Sequence, residues 1–126
     1  MNALNPFRIA ADSAAEAVNR ADEAAGRAAR RADSWLDTPY TLACEAFRMA
    51  KHHARLCRLA GSLRVANRHR RLARQFARAA ERFTFDTVAF RVGKTRYVTA
   101  ESQPWLLPYP HERIVPHPEP CDRYWI

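Results

Sequence analysis

Glycine and lysine are both scarce in this chain of 126 residues, which contains three glycines and two lysines. The scarcity of glycine argues against a glycine-rich loop that would hold a phosphate through its backbone amides. The tripeptide GKT at residues 93–95 has the ending of such a loop, but Val88 stands where the first glycine of the motif is required. A phosphate-binding loop is therefore excluded.

Cysteine is also rare, and its spacing does not suit a metal. Cys44, Cys57 and Cys121 form no metal-binding pattern and leave one cysteine over in any disulfide scheme, which favours a reducing compartment. No apolar run approaches the roughly 18 residues of a membrane span, and residues 1–13 contain no signal-peptide core. We therefore expect a soluble, cytoplasmic protein that does not enter a membrane.

No set of residues points to catalysis or to a bound metal. His53 and Cys57 are four residues apart on a predicted helix, but further ligands are missing because His52 points elsewhere and His69 lies beyond Gly61. Cys57 is better explained as a small core residue. Other acid–base candidates have no nucleophile or orienting group beside them in the sequence: His111, Glu112, His117 and Glu119. We predict no catalytic residue, no metal, no cofactor and no enzymatic activity.

Acidic residues are nearly absent from the middle of the chain. The net charge is +8, and residues 39–82 hold eleven basic and two acidic residues, whereas residues 1–38 and 83–126 are close to neutral. Arginine accounts for 19 of the 21 basic residues and suits bidentate contacts to phosphate or carboxylate. A GC-rich genome is the alternative explanation, because it would enrich alanine as well as arginine.

The first third of the chain has the spacing of a long amphipathic helix over about residues 7–36. Small and apolar residues recur at alternating steps of four and three, as in a coiled-coil seam. The seam consists of Phe7, Ala11, Ala14, Val18, Ala21, Ala25, Ala28, Ala32 and Trp35. Alanine buries little area, so this helix requires larger side chains from its partners.

Residues 39–82 form either one helix of about 44 residues or two helices joined at Gly61 and Ser62. Asp37 or Thr38 can cap the start, and Pro39 suits a first turn. The basic stripe of residues 48–58 lies opposite that of residues 64–82 on a common helical wheel. A turn with Gly61 in the left-handed region explains this change of face. The sequence therefore favours an antiparallel three-helix bundle over residues 1–82, with a continuous helix in an oligomer as the alternative.

Beyond the helices the apolar period changes to two. Residues 83–100 are predicted to form a β-hairpin with its turn at Gly93 and Lys94, so that Arg91 lies opposite Arg96. Like charges placed opposite each other are unfavourable unless an anion or an acidic neighbour lies between them.

The last segment, residues 101–126, contains six of the eight prolines, which excludes a helix or a central strand. It is nevertheless too rich in apolar residues for a disordered tail. We expect an extended arm that lies in a groove of its own bundle or of a neighbouring subunit. The candidate assembly residues are Trp105, Leu107, Tyr109, Tyr124 and Trp125.

The fold class expected is therefore mainly α, one domain with a hairpin and an extended arm, and its candidate binding surface is the arginine-rich third helix. The candidate contacts are Arg64, Arg68, Arg70, Arg71, Arg74, Arg78 and Arg82 on the helix, with Arg91, Lys94 and Arg96 from the hairpin. Such a surface can follow a phosphate backbone. Only Asn67 and Gln75 could reach base edges, so little sequence specificity is expected.

The leading hypothesis is a nucleic-acid-binding accessory factor encoded by a phage or plasmid. The alternative is an adaptor, inhibitor or virion assembly subunit that docks on an acidic protein through the arginine face and the arm. Both hypotheses are compatible with a monomer or a homo-oligomer. A solvated or internally paired arginine face is the non-functional explanation. A membrane surface is disfavoured because the face opposite the arginines is largely alanine.

Overall fold

The computed structural model describes residues 4–101 and 111–118 and shows a mainly helical protein with a small sheet. Its helices are α1 (Pro6–Arg31), α2 (Thr38–Leu59) and α3 (Leu63–Glu81). Its strands are β1 (Ala89–Val92), β2 (Thr95–Val98) and β3 (Glu112–Ile114). The five candidate assembly residues of the arm lie outside the described residues: Trp105, Leu107, Tyr109, Tyr124 and Trp125.

Each helix begins at a polar side chain that accepts backbone N–H groups of the first turn. Asn5 Oδ1 accepts from the amides of Phe7 and Arg8. Asp37 Oδ1 accepts from the amide of Tyr40, which confirms the prediction of a cap at this position. The hydroxyl of Ser62 accepts from the third residue of α3. These caps satisfy amides that have no partner within the helix.

The three helices pack against one another, and their cross-contacts give their directions. Arg74 of α3 contacts Ser13 of α1, and Glu81 contacts Arg20, each over a separation of 61 residues. Because this separation is constant, α1 and α3 run parallel. Helix α2 runs antiparallel to both, since short connections join it to each neighbour.

The buried face of α1 is made of alanine and coincides with only part of the predicted seam. The buried residues are Ala10, Ala14, Ala17, Ala21, Ala24 and Ala25. Phe7, placed in the seam by the sequence, is 41% exposed. Because α1 packs against both α2 and α3, its buried stripe is shifted toward Ala10, Ala17 and Ala24 instead of following the seam of a two-helix contact. The prediction that α1 continues to residue 36 was also wrong, because the helix ends at Arg31.

The chain reverses between α2 and α3 without a left-handed glycine. This part of the chain forms α2 and α3 instead of one continuous helix, which confirms the predicted break near Gly61. However, Ala60 adopts an extended conformation (φ −65°, ψ 135°) and ends α2, and the only described glycine with positive φ is Gly93. The expectation that Gly61 is left-handed was therefore wrong, because an extended residue before it already turns the chain.

The region expected to form a hairpin and a separate arm contributes instead to one three-stranded sheet. Strands β1 and β2 pair antiparallel, with Phe90 opposite Tyr97 and Arg91 opposite Arg96. Strand β3, from the segment expected to be an extended arm, pairs parallel to β2. Residues 83–88 do not extend β1, because hydrogen bonds between Thr84 and Thr87 hold them in a turn.

Aromatic rings join the sheet to the helices. Phe90 stacks on Tyr97 with ring centroids 4.6 Å apart, and Phe76 of α3 meets Tyr97 edge to face at 5.6 Å. These rings supply the bulk that the alanines of α1 lack. The sheet is thereby fixed against α3, the helix with the most arginines.

Candidate nucleic-acid interface

The outer face of α3 carries a line of exposed arginines, which we call the α3 stripe. Its members follow one another at steps of four and three residues and are exposed: Arg64, Arg68, Arg71, Gln75, Arg78 and the capping residue Arg82. At 1.5 Å per residue the α3 stripe is about 27 Å long. It lies opposite the small residues that α3 buries, which include Ala66, Ala73 and Ala80. Small residues on one side and arginines on the other therefore give α3 its orientation.

Two further predicted arginines lie beside the α3 stripe, on the side of α1. Arg74 is half-buried, and its Nη1 donates to the hydroxyl of Ser13 at 3.1 Å. The Nε of Arg70 is buried and has no hydrogen-bond partner. Together with part of the stripe these residues line an open depression of about 360 Å³: Arg70, Arg71, Arg74, Gln75 and Arg78. The depression therefore combines Arg74, which is held against α1, with exposed arginines.

The carboxylates of the described residues do not pair with the arginines of α3. Within residues 4–101 and 111–118, no arginine of α3 forms an ion pair. Glu81, the acidic residue at the end of α3, pairs with Arg20 of α1 at 2.7 Å. The explanation of an internally paired arginine face is therefore not supported for the part of the chain that the structure describes.

The predicted basic residues of the sheet differ in their surroundings. Arg91 on β1 and Lys94 in the turn are exposed. Arg96 is half-buried and donates from Nη1 to Oε1 of Glu112 at 2.8 Å. Glu112 on β3 is therefore the acidic neighbour that the opposed arginines of β1 and β2 require. Arg96 has a structural partner, whereas Arg91 and Lys94 resemble the α3 stripe in their exposure.

A histidine pair, missed in the sequence, closes the contact between α2 and α3. The Nδ1 atoms of His53 and His69 are 3.0 Å apart, and the ring of His53 also stacks on Phe76 at 5.6 Å. Burial first, and then the charges of His52, His69 and Arg68, lower the pKa of His53 to about 4. Burial likewise lowers the pKa of His69. The turn between α2 and α3 brings His69 next to His53. Their separation in the sequence gave no sign of this contact.

This histidine pair does not form a metal centre with its neighbours. Among the residues that the structure describes, no group of three or more His, Cys, Asp or Glu side chains could hold a metal ion. Cys57 is buried, and its pKa is raised by that burial. A buried neutral thiol fits the interpretation of Cys57 as a core residue.

A buried carboxylate forms a second polar cluster that the sequence did not reveal. Glu45 of α2 has a side chain only 3% exposed and accepts from Nε of Arg48 and from Nε of Arg113, the latter at 2.9 Å. Arg113 belongs to β3, so this carboxylate ties the sheet to α2. The one available signal was that residues 39–82 contain few acidic residues, which made Glu45 an exception.

Comparisons of the chain with protein-family models, with curated protein sequences and with solved structures give no match. Within its described residues, the protein has no helix of the length and hydrophobicity needed to cross a membrane. The geometry of the surface is therefore the basis for assigning a function.

Proposed function

We propose that this protein binds nucleic acid through the α3 stripe, with little dependence on base sequence. One observation carries the proposal: five exposed arginines lie in one line on a rigid helix, and none forms an ion pair with another described residue. Such a line of charge is suited to a polyanion rather than to a single small anion.

The length and chemistry of the stripe match a phosphate backbone. A stripe of about 27 Å spans about eight phosphates of one DNA strand at 3.4 Å each. Guanidinium groups donate two parallel hydrogen bonds to a phosphate, and each neutralised phosphate releases condensed counterions. The depression on α3 adds Arg70 and Arg74 at one edge of this contact.

The surroundings of the arginines favour binding that tolerates different sequences. Base-edge recognition needs polar side chains that reach into a groove. Gln75 is the uncharged polar member of the α3 stripe, whereas Asn67 is half-buried at its side. Contacts to phosphate consequently outnumber contacts to bases, and phosphate contacts fix position without reading sequence.

A salt titration with matched variants tests the proposal. Fluorescent duplexes of unrelated sequence are titrated with the wild type and with the triple variant Arg68→Gln, Arg71→Gln, Arg78→Gln. If each arginine contacts one phosphate, the slope of log affinity against log salt should fall by about 2.7, equally for all sequences. Thermal unfolding checks that the variant is folded.

The control variant removes the same charge from another exposed site, Arg27→Gln, Arg30→Gln, Arg31→Gln at the end of α1. It should retain the wild-type slope. An equal loss of slope in both variants would show that net charge alone drives binding and would contradict the proposal. Absence of binding at low salt would also refute it and would favour an acidic protein as the partner.

A further inference from the structure

A second basic surface lies on α2, and no described carboxylate neutralises it. Its exposed members are Lys51, Arg55 and Arg58, which we call the α2 surface. They border an open groove of about 400 Å³ between α1 and α2, whose floor includes Ala11 and Ala15. Within the described residues none of the three forms an ion pair, whereas the nearby Arg48 is engaged by Glu45.

The α2 surface and the α3 stripe face different sides of the molecule. At 100° per residue, the α2 surface is centred roughly opposite His53 and Cys57 on the helical wheel. His53 faces α3, because its ring meets His69 there. The α2 surface therefore points away from α3, while the α3 stripe points outward from the far side of the bundle.

An acidic ridge on α1 separates the two basic surfaces. Its exposed members are Asp12, Glu16 and Glu23, of which Asp12 forms an ion pair with Arg8 at 3.9 Å. On the same projection they lie between the residues that border the α2 groove and the residues that contact α3, Ser13 and Arg20. A single polyanion that passed from one basic surface to the other across α1 would approach these carboxylates, of which Glu16 and Glu23 form no ion pair with a described residue.

We infer that one molecule of this protein bridges two separate segments of nucleic acid, one on the α3 stripe and one on the α2 surface. The inference rests on the proposed function and extends it from binding to bridging. Repulsion from the ridge disfavours a segment that crosses α1 to occupy both surfaces. Because the two surfaces also face different sides of the molecule, a second segment can reach the surface that the first leaves free.

A capture experiment tests bridging. One duplex is fixed to beads, and a fluorescent duplex in solution is retained only if the protein holds both. The wild type should capture the second duplex, and the amount should decline at saturating protein, when every duplex carries its own molecule. The variant Lys51→Gln, Arg55→Gln, Arg58→Gln should bind the fixed duplex with nearly wild-type affinity, because the α3 stripe is unchanged. Its capture of the second duplex should be lost.

The outcomes separate the two proposals. If the wild type binds the fixed duplex but captures no second duplex, bridging is refuted and binding stands. If the α2 variant captures as well as the wild type, bridging arises from association of subunits, and the inference is wrong. If the wild type binds no duplex, both proposals fail. The variant Arg27→Gln, Arg30→Gln, Arg31→Gln is the charge-matched control and should capture normally.

Discussion

Acidification should loosen the contact between α2 and α3 by charging His53. Its pKa lies at about 4 in the folded protein, mainly because of burial, and near 6.5 when unfolded. The unfolded chain therefore binds more protons between these values, so stability is full above pH 6.5 and falls as the pH drops toward 4. At pH 4.5 the shift corresponds to at most about 2.6 kcal/mol. Because the ring is only partly buried, solvent screening should reduce the loss to about 1–2 kcal/mol.

Urea unfolding at pH 7 and at pH 4.5 measures this loss. Carboxylates also titrate in this range, so the relevant quantity is the difference between the wild type and His53→Gln, which stays neutral at both pH values. The variant should lose about 1–2 kcal/mol less than the wild type. His111→Asn, at an exposed histidine with positive φ, should behave like the wild type. Equal pH dependence in the wild type and His53→Gln, or an NMR titration of His53 near 6.5, would contradict the reasoning.

Two further substitutions test the packing of the fold. Gly61→Ala should change the free energy of unfolding by less than about 0.5 kcal/mol or stabilise slightly, because Gly61 is not left-handed and a Cβ would meet no atom within 4 Å. A large drop in the melting temperature would contradict this. Glu45→Ala should destabilise by about 2 kcal/mol, since it leaves Arg48 and Arg113 without their shared carboxylate while both remain partly solvated. The control Glu16→Ala, at an exposed carboxylate, should be nearly neutral, and equal effects of the two substitutions would argue against the buried cluster.

Local signals in the sequence predicted the features that depend on neighbouring residues. The cap at Asp37, the break near Gly61 and the pairing of Arg91 with Arg96 all follow from hydrogen bonding or side-chain periodicity within a few residues. The exposed positions of the α3 stripe likewise follow from the helical period. A single helix with a strong contrast between alanine and arginine needs no tertiary information to orient it.

The remaining features depend on contacts between distant segments. Strand β3 is three residues long and lies close to prolines, and its pairing with β2 is set by tertiary contacts that local propensity does not encode. The buried stripe of α1 was displaced because two partner helices share it. The contacts of His53 and Glu45 with residues 16 and 68 positions away could not be read from spacing.

The arginines proposed to bind nucleic acid should destabilise the isolated protein, and this gives salt two opposite effects. Within α3, Arg64 and Arg68, Arg74 and Arg78, and other arginines stand four or three residues apart, and each such like-charge pair costs a few tenths of a kcal/mol. No ion pair among the described residues offsets this repulsion. Added salt screens the repulsion and should therefore raise the melting temperature, whereas the same salt should weaken nucleic-acid binding. Melting curves and binding titrations over one salt series measure both effects. The variant Arg68→Gln, Arg71→Gln, Arg78→Gln should melt higher than the wild type at low salt and show less salt dependence in both measurements. A variant that melts lower at low salt would show that these arginines stabilise the fold, and the surface would then be structural rather than functional.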